Sequence, residues 1–160
     1  MRLSNKNKAS VYHFVMTLLN IFLILGIVLF FIERYKFDVL GYESWLLIVV
    51  PLLLMGIFVL RGRQIFEYDS DGEALNFKNR SVMPFTRKEA RDEFPKYKLL
   101  SYEVVNAMVF KNLYIKIKSK KEYPTVLKYD ISYLTNKEIR DLKTSLNKIV
   151  KYNREANREG

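Results

Sequence analysis

Two uninterrupted apolar runs, Val11–Ile32 and Trp45–Leu60, constrain this chain more than anything else in it. A polar connector, Glu33–Ser44, joins them. The first run carries no formal charge. Bilayer hydrocarbon about 30 Å thick takes roughly 20 helical residues to cross, so this run is long enough. The second is shorter and crosses only with its flank from Tyr42 included. Pro51 removes one backbone hydrogen bond from it and predicts a kink. A mean hydropathy of −0.08 hides this greasy third, because it averages with a highly charged remainder. The pattern predicts a transmembrane helical hairpin with spans at 11–32 and 45–60.

Residues 1–10 hold Arg2, Lys6 and Lys8 and no acid, and read as a polar tail. The apolar run behind them is longer than the roughly 7–15 residues of a secretory signal, and no small-x-small cleavage site follows. It is therefore expected to be a retained anchor. The tail has three basic residues, the connector two (Arg34, Lys36), and Arg61–Arg80 four. The positive-inside rule then predicts both termini in the cytoplasm. Tyr35, Tyr42 and Trp45 suit the aromatic belt at headgroup level. Asn20 falls near mid-membrane depth, where an amide needs a partner, so it is expected to face the second helix or a backbone carbonyl. Gly26 and Gly56 permit close helix approach, which makes Asn20, Gly26 and Gly56 the candidate intramembrane contacts. His13 is the sole histidine, and one histidine cannot build a metal site.

Residues 61–152 are enough for one small domain. Phe66 and Tyr68 alternate with polar neighbours, Asp71-Gly72 is a tight-turn signal, and Leu75 and Phe77 alternate on the return. The glycine in Asp69-Ser70-Asp71-Gly72-Glu73 is misplaced for an EF-hand, so the stretch reads as a turn. Residues 79–95 mix charges with Pro84 and Pro95, and read as a short strand at Ser81–Phe85 followed by a loop or single helical turn. Lys96–Val105 reads as a strand with a bulge or bend. Asn112–Lys118 is the clearest strand, with Leu113, Ile115 and Ile117 on one face. A return strand from Tyr123 to Tyr133 follows, and Pro124 suits a sheet edge.

The final helix has an explicit start. Thr135 and Glu138 form a capping box, with Leu134 and Ile139 placed as a hydrophobic staple. Ile139, Leu142, Leu146, Ile149 and Val150 make one apolar stripe, expected to cover the sheet, with insertion into lipid as the alternative. Residues 153–160 read as a flexible tail. The fold class expected is a membrane α-helical hairpin plus a small α+β domain, an antiparallel sheet or partial barrel capped by one amphipathic helix.

The hairpin 66–77, the strand pair 113–129 and the helix 135–150 together resemble the pleckstrin-homology (PH) outline, and the whole resembles bacterial PH-like membrane proteins. The resemblance covers residues 61–152 and lies in element order; the five or six strands read here are fewer than the outline has. It implies a bacterial inner-membrane location and a binding scaffold without enzymatic activity.

No cysteine is present, which excludes disulfides, thiol nucleophiles and cysteine-based zinc sites. No Walker loop, Rossmann fingerprint or Gly-x-Ser-x-Gly elbow occurs, so no catalytic residue, metal or cofactor is expected. The net charge of +10 fits an anionic membrane surface better than nucleic acid, because the basic residues are not gathered on one helix. The expected role is an accessory or scaffold subunit that docks on other membrane proteins or on itself. The alternative is recognition of anionic lipid headgroups by Arg61, Arg63, Lys78, Arg80, Arg87, Lys88 and Arg91. An oligomeric ion or solute path ranks behind both, because neither apolar run carries a polar stripe.

Overall fold

The computed structural model describes residues 1–37, 39–82, 88–108, 110–119 and 123–159. The chain forms two compact units: Ser10–Arg61 is one, and Met1–Ala9 together with Gly62 onward is the other.

In the helical unit, α1 (Ala9–Ile32) runs on into a π-turn, Glu33–Phe37. A 3₁₀ turn, Gly41–Trp45, leads into α2 (Leu46–Leu60). Both are long and apolar enough to cross a membrane once these flanks are counted. A core helix of a soluble domain would be mostly buried, whereas the most apolar windows of these two are only 6% and 11% buried. The helices touch where side chains are small. Gly26 is buried, and a Cβ there would overlap the carbonyl oxygen of Leu47 and lie 3.4 Å from Cγ of Pro51. Pro51 sits inside a continuous α2 and is itself buried. Phe30 and Trp45 pack at 5.0 Å between ring centres near the turn.

Among the described residues, the second unit contains seven antiparallel strands in two sheets and one long helix. The strands are β1 (Arg2–Ser4), β2 (Ile65–Asp69), β3 (Ala74–Arg80), β4 (Ala90–Pro95), β5 (Leu99–Asn106), β6 (Lys111–Ile117) and β7 (Thr125–Asp130). The four-stranded sheet has the order β1-β2-β3-β4 and the three-stranded sheet β5-β6-β7. Helix α3 (Asn136–Glu159) closes the unit. The layout is α+β, as expected.

Local chemistry explains most of these elements. Gly72 turns the β2–β3 hairpin at φ 70°, and Asp69 accepts a hydrogen bond from the Asp71 N–H at 2.9 Å. Leu75 and Phe77 are fully buried on β3, and Leu113 and Ile115 on β6. The bulge expected in the next strand is a register shift between Leu99 and Ser101. The Glu138 N–H donates to Thr135 Oγ1 at 3.3 Å and the Thr135 N–H to Glu138 Oε2 at 2.7 Å, a closed capping box. The stripe of α3 lies in the core beside Leu99, Phe77 and Tyr129, so the alternative of inserting this helix into lipid is excluded. Tyr68 Oη bonds Ser145 Oγ at 3.0 Å and Tyr102 Oη donates to the Lys143 carbonyl at 3.2 Å, which ties a strand of each sheet to the helix.

Four sequence expectations need correction. Residues 1–10 are not a tail: Arg2–Ser4 pairs with β2, Leu3 opposite Tyr68 and Ser4 opposite Glu67. Ala90–Pro95 is a strand on β3, not a loop or helical turn. Its apolar signal is almost nil because only Phe94 is buried. The strand read from Lys96 starts at Leu99, after a 3₁₀ turn over Lys96–Lys98. Helix α3 continues to Glu159, held at Asn153, whose amide donates to the carbonyls of Lys96 (2.8 Å) and Leu99 (2.9 Å). The strand expected at 81–85 lies largely outside the described residues.

Candidate functional site

The chain leaves the sheet after β1 for the two apolar helices and returns at β2, and amides hold these two strand ends together. Asn5, 1% exposed, donates to the Gln64 carbonyl at 2.8 Å and accepts from the Phe66 N–H at 2.8 Å. Asn79, fully buried, donates to the carbonyls of Ile65 (3.2 Å) and Asp130 (2.9 Å) and accepts from the Asp130 N–H at 2.8 Å, which joins the two sheets. Asp130 Oδ2 also accepts the Arg63 N–H at 3.2 Å. The strand ends next to the hairpin therefore form one cross-braced rim.

Charge is unevenly divided over the outer face of the four-stranded sheet. Strand register places Ser4, Glu67, Lys78 and Arg91 in one row, and Arg2, Asp69, Asn76 and Glu93 in the next row away from the hairpin. Arg80 lies one row closer still, opposite Ile65. Lys6, Lys78 and Arg91 line a shallow groove of about 460 Å³ with Arg2, Ser4 and Glu67. The turn at the far end carries Asp69, Asp71 and Glu73. The backbone N–H of Asp71 and the Arg2 guanidinium hold the Asp69 carboxyl below its ordinary range.

Of the residues expected to meet lipid, Lys78 and Arg91 are cross-strand neighbours, and Arg80 and exposed Lys88 lie at the same end. Arg63 is partly committed to the protein: one of its terminal nitrogens donates to the Lys88 carbonyl at 2.8 Å, and its Nε is buried without a partner among the described residues. Arg61 caps α2 in the helical unit. Arg87 lies outside the described residues. Sequence reasoning missed Lys6 and Lys8 by treating them as tail. Lys8 Nζ meets Glu138 at 3.1 Å, beside the capping box. Burial works to raise the Glu138 carboxyl, but hydrogen bonds from Thr135 and Lys8 outweigh it and hold it below the usual range.

The intramembrane candidates separate. Gly26 makes the close approach described above, whereas Gly56 has open space where a Cβ would stand. Asn20 is not buried against α2: it is exposed on the surface of α1, close to the middle of that helix. No hydrogen bond from its amide occurs among the described residues. Nearby Thr17, by contrast, turns its hydroxyl back to the His13 carbonyl at 3.0 Å.

A second groove, about 830 Å³, runs between α3 and the far end of the sheets, lined by Ser70, Glu73, Lys96, Tyr97, Lys148 and Tyr152 among others. No cluster of three His, Asp or Glu side chains that could hold a metal occurs among the described residues. Among the described residues, burial raises the phenol of Tyr129 well above its ordinary value, and donation to Asp92 Oδ2 at 2.7 Å adds to this. Tyr129 also stacks on Phe77 with ring centres 4.9 Å apart, so its place is in the core. No protein-family model, curated protein or solved structure matches the chain.

Proposed function

We propose that this chain is a non-catalytic, membrane-anchored PH-like module that docks within the bilayer on other membrane-spanning helices, as an accessory or assembly subunit. Asn20 carries the reading. An unpaired amide in hydrocarbon costs free energy that a hydrogen bond across a helix interface recovers, on the order of 1 kcal/mol. Its exposed position on α1 leaves it available to a neighbouring span. Four strands plus three, closed by a carboxy-terminal helix, support the PH-like assignment. The departure is that the first strand precedes the membrane hairpin.

Placement in a bacterial inner membrane follows the PH-like resemblance, and cytoplasmic termini follow the count of basic residues. The pairing of β1 with β2 supports a common side for the two ends of the hairpin, because strands on opposite sides of a bilayer cannot pair. The test is native electrophoresis and cross-linking after mild solubilisation, comparing the unchanged chain with Asn20→Leu. A complex lost in Asn20→Leu supports the reading; a strictly monomeric wild-type chain with nothing bound sinks it.

A second reading, recognition of anionic headgroups, is favoured by the adjacency of Lys78 and Arg91 and the nearness of Lys6 and Arg80. Each such residue contributes on the order of 1 kcal/mol at an anionic surface. A chain with residues 10–61 replaced by a short glycine-serine linker is to be floated with neutral and anionic vesicles. Binding indifferent to anionic lipid and to salt removes this reading.

A further inference from the structure

Between β5 and β6, Met108 and Phe110 present apolar side chains to solvent at the end of the sheet unit where β2 begins and β7 ends. Met108 is fully exposed, at 106% of its reference area, and Phe110 is 45% exposed. The residues on either side are tied together: the Ala107 N–H donates to the Phe110 carbonyl at 2.8 Å. Its base is braced too. The Lys111 N–H donates to Ser132 Oγ at 2.9 Å, and the Ile131 N–H donates to the Lys111 carbonyl at 2.8 Å. Ser132 Oγ donates to Asp130 Oδ1 at 2.6 Å, and the other oxygen of Asp130 takes the Arg63 N–H. Lys111 Nζ reaches Asn136 Oδ1 at 3.3 Å, at the start of α3, where Lys8 pairs with Glu138.

Lys8, Arg63 and Lys111 thus stand around the base of an apolar tip. Lys8 comes just before α1, and Gly62–Gln64 is all that separates Arg61 from β2, at most about 14 Å of chain. Apolar tip, basic collar and a covalent tether to the membrane helices within a few residues together define what covers this surface. We infer that Met108 and Phe110 insert into the interfacial region of the bilayer as a membrane contact made by the sheet unit itself. Amphipathic segments seat apolar side chains about 5–10 Å into that region while cationic neighbours meet the headgroups. This inference rests on the reading of α1 and α2 as membrane spans.

The chain has no cysteine, so single labels are unambiguous. Met108→Cys, Phe110→Cys, Tyr123→Cys and Leu25→Cys, each in the full chain, are to be labelled with a polarity-sensitive fluorophore. They are then reconstituted into phosphatidylcholine–phosphatidylglycerol vesicles. Tyr123 is 77% exposed and follows β6, at the opposite end of that strand from the 107–110 turn. Leu25 lies in α1. Expected are blue-shifted emission at 108 and 110, loss of that emission with lipid-borne quencher as at 25, and protection from aqueous iodide. Position 123 should behave oppositely. If 108 and 110 follow 123 while 25 follows the lipid quencher, the insertion is overturned. It is overturned equally if 108 and 110 are shielded from both quenchers, since a protein surface then covers the turn. Iodide access at 25 would instead remove the membrane reading itself, and the inference with it.

Discussion

Asn5→Ala probes the joint between the first strand and the rest of the sheet. The asparagine is buried and supplies two hydrogen bonds of 2.8 Å, one to the Gln64 carbonyl and one from the Phe66 N–H. Alanine leaves both backbone groups in the interior without that partner, at about 1–3 kcal/mol each, so the expected loss is about 2–6 kcal/mol. Domains of this size hold about 5–15 kcal/mol in all, so the loss is a large fraction. It corresponds to a fall in melting temperature on the order of 10–20 °C. The assay is thermal melting of the full chain in detergent, followed by near-ultraviolet circular dichroism of the tyrosines, with hydrogen exchange at the Phe66 amide. Asn7→Ala, at an exposed position two residues on, serves as control and should change stability by less than about 0.5 kcal/mol. If Asn5→Ala melts with the control and the Phe66 amide keeps its protection, residues 2–5 are not part of the sheet.

Three further perturbations test other joints. Tyr129→Phe removes the hydroxyl that donates to Asp92 and should cost about 1.5–3 kcal/mol at neutral pH, read by urea unfolding. Because folding raises the Tyr129 phenol above its ordinary value of 10.0, its contribution is intact below pH 10 and fades as pH rises beyond it. The alkaline loss of stability should therefore be shallower in Tyr129→Phe than in wild type, and identical alkaline limbs would refute this. Glu138→Gln keeps an oxygen for the capping box but removes the charge paired with Lys8, and should cost up to about 1 kcal/mol. Folding lowers the Glu138 carboxyl below 4.5, so its stabilisation holds above that pH and is lost as pH falls toward the folded value; the acid limb of a pH series should flatten in the variant. Gly26→Val should separate α1 from α2, because the new side chain meets the Leu47 carbonyl, whereas Gly56→Ala should be neutral. Disulfide formation between cysteines introduced on the two helices reads the difference, and equal rates in both variants would count against the close helix approach at Gly26.

Much of the architecture is legible from side-chain periodicity and a few end signals. Charge-free length announces α1, alternation of Leu113, Ile115 and Ile117 announces β6, and Thr135 with Glu138 marks where α3 starts. These signals are local, and each acts within a few residues. What they miss is stabilised from a distance. The three residues of β1 contain a single apolar side chain, Leu3, and become a strand only because β2, over sixty positions later, presents its edge. Highly charged β4 is recruited in the same way by β3. Asn153 continues the helical spacing of Leu146 and Val150, but as an amide it gives no hydrophobic signal until the carbonyls of Lys96 and Leu99 are in place.

The basic residues themselves are plain in the sequence, but their arrangement is not. Lys78 and Arg91 become neighbours through strand register, Arg63 is drawn partly inward, and Lys8 turns to Glu138. Asn20 stands out in the sequence as an amide among apolar residues, while its outward direction depends on which face of α1 meets α2. The sequence by itself determined the two long apolar helices, the strand-rich remainder and the capped last helix, because hydrophobic length, alternation and capping are properties of neighbouring residues. Only the tertiary structure decided that the chain's first residues complete the sheet and that Met108, Lys8 and Arg63 share one rim, because hydrogen bonds between distant segments set those positions.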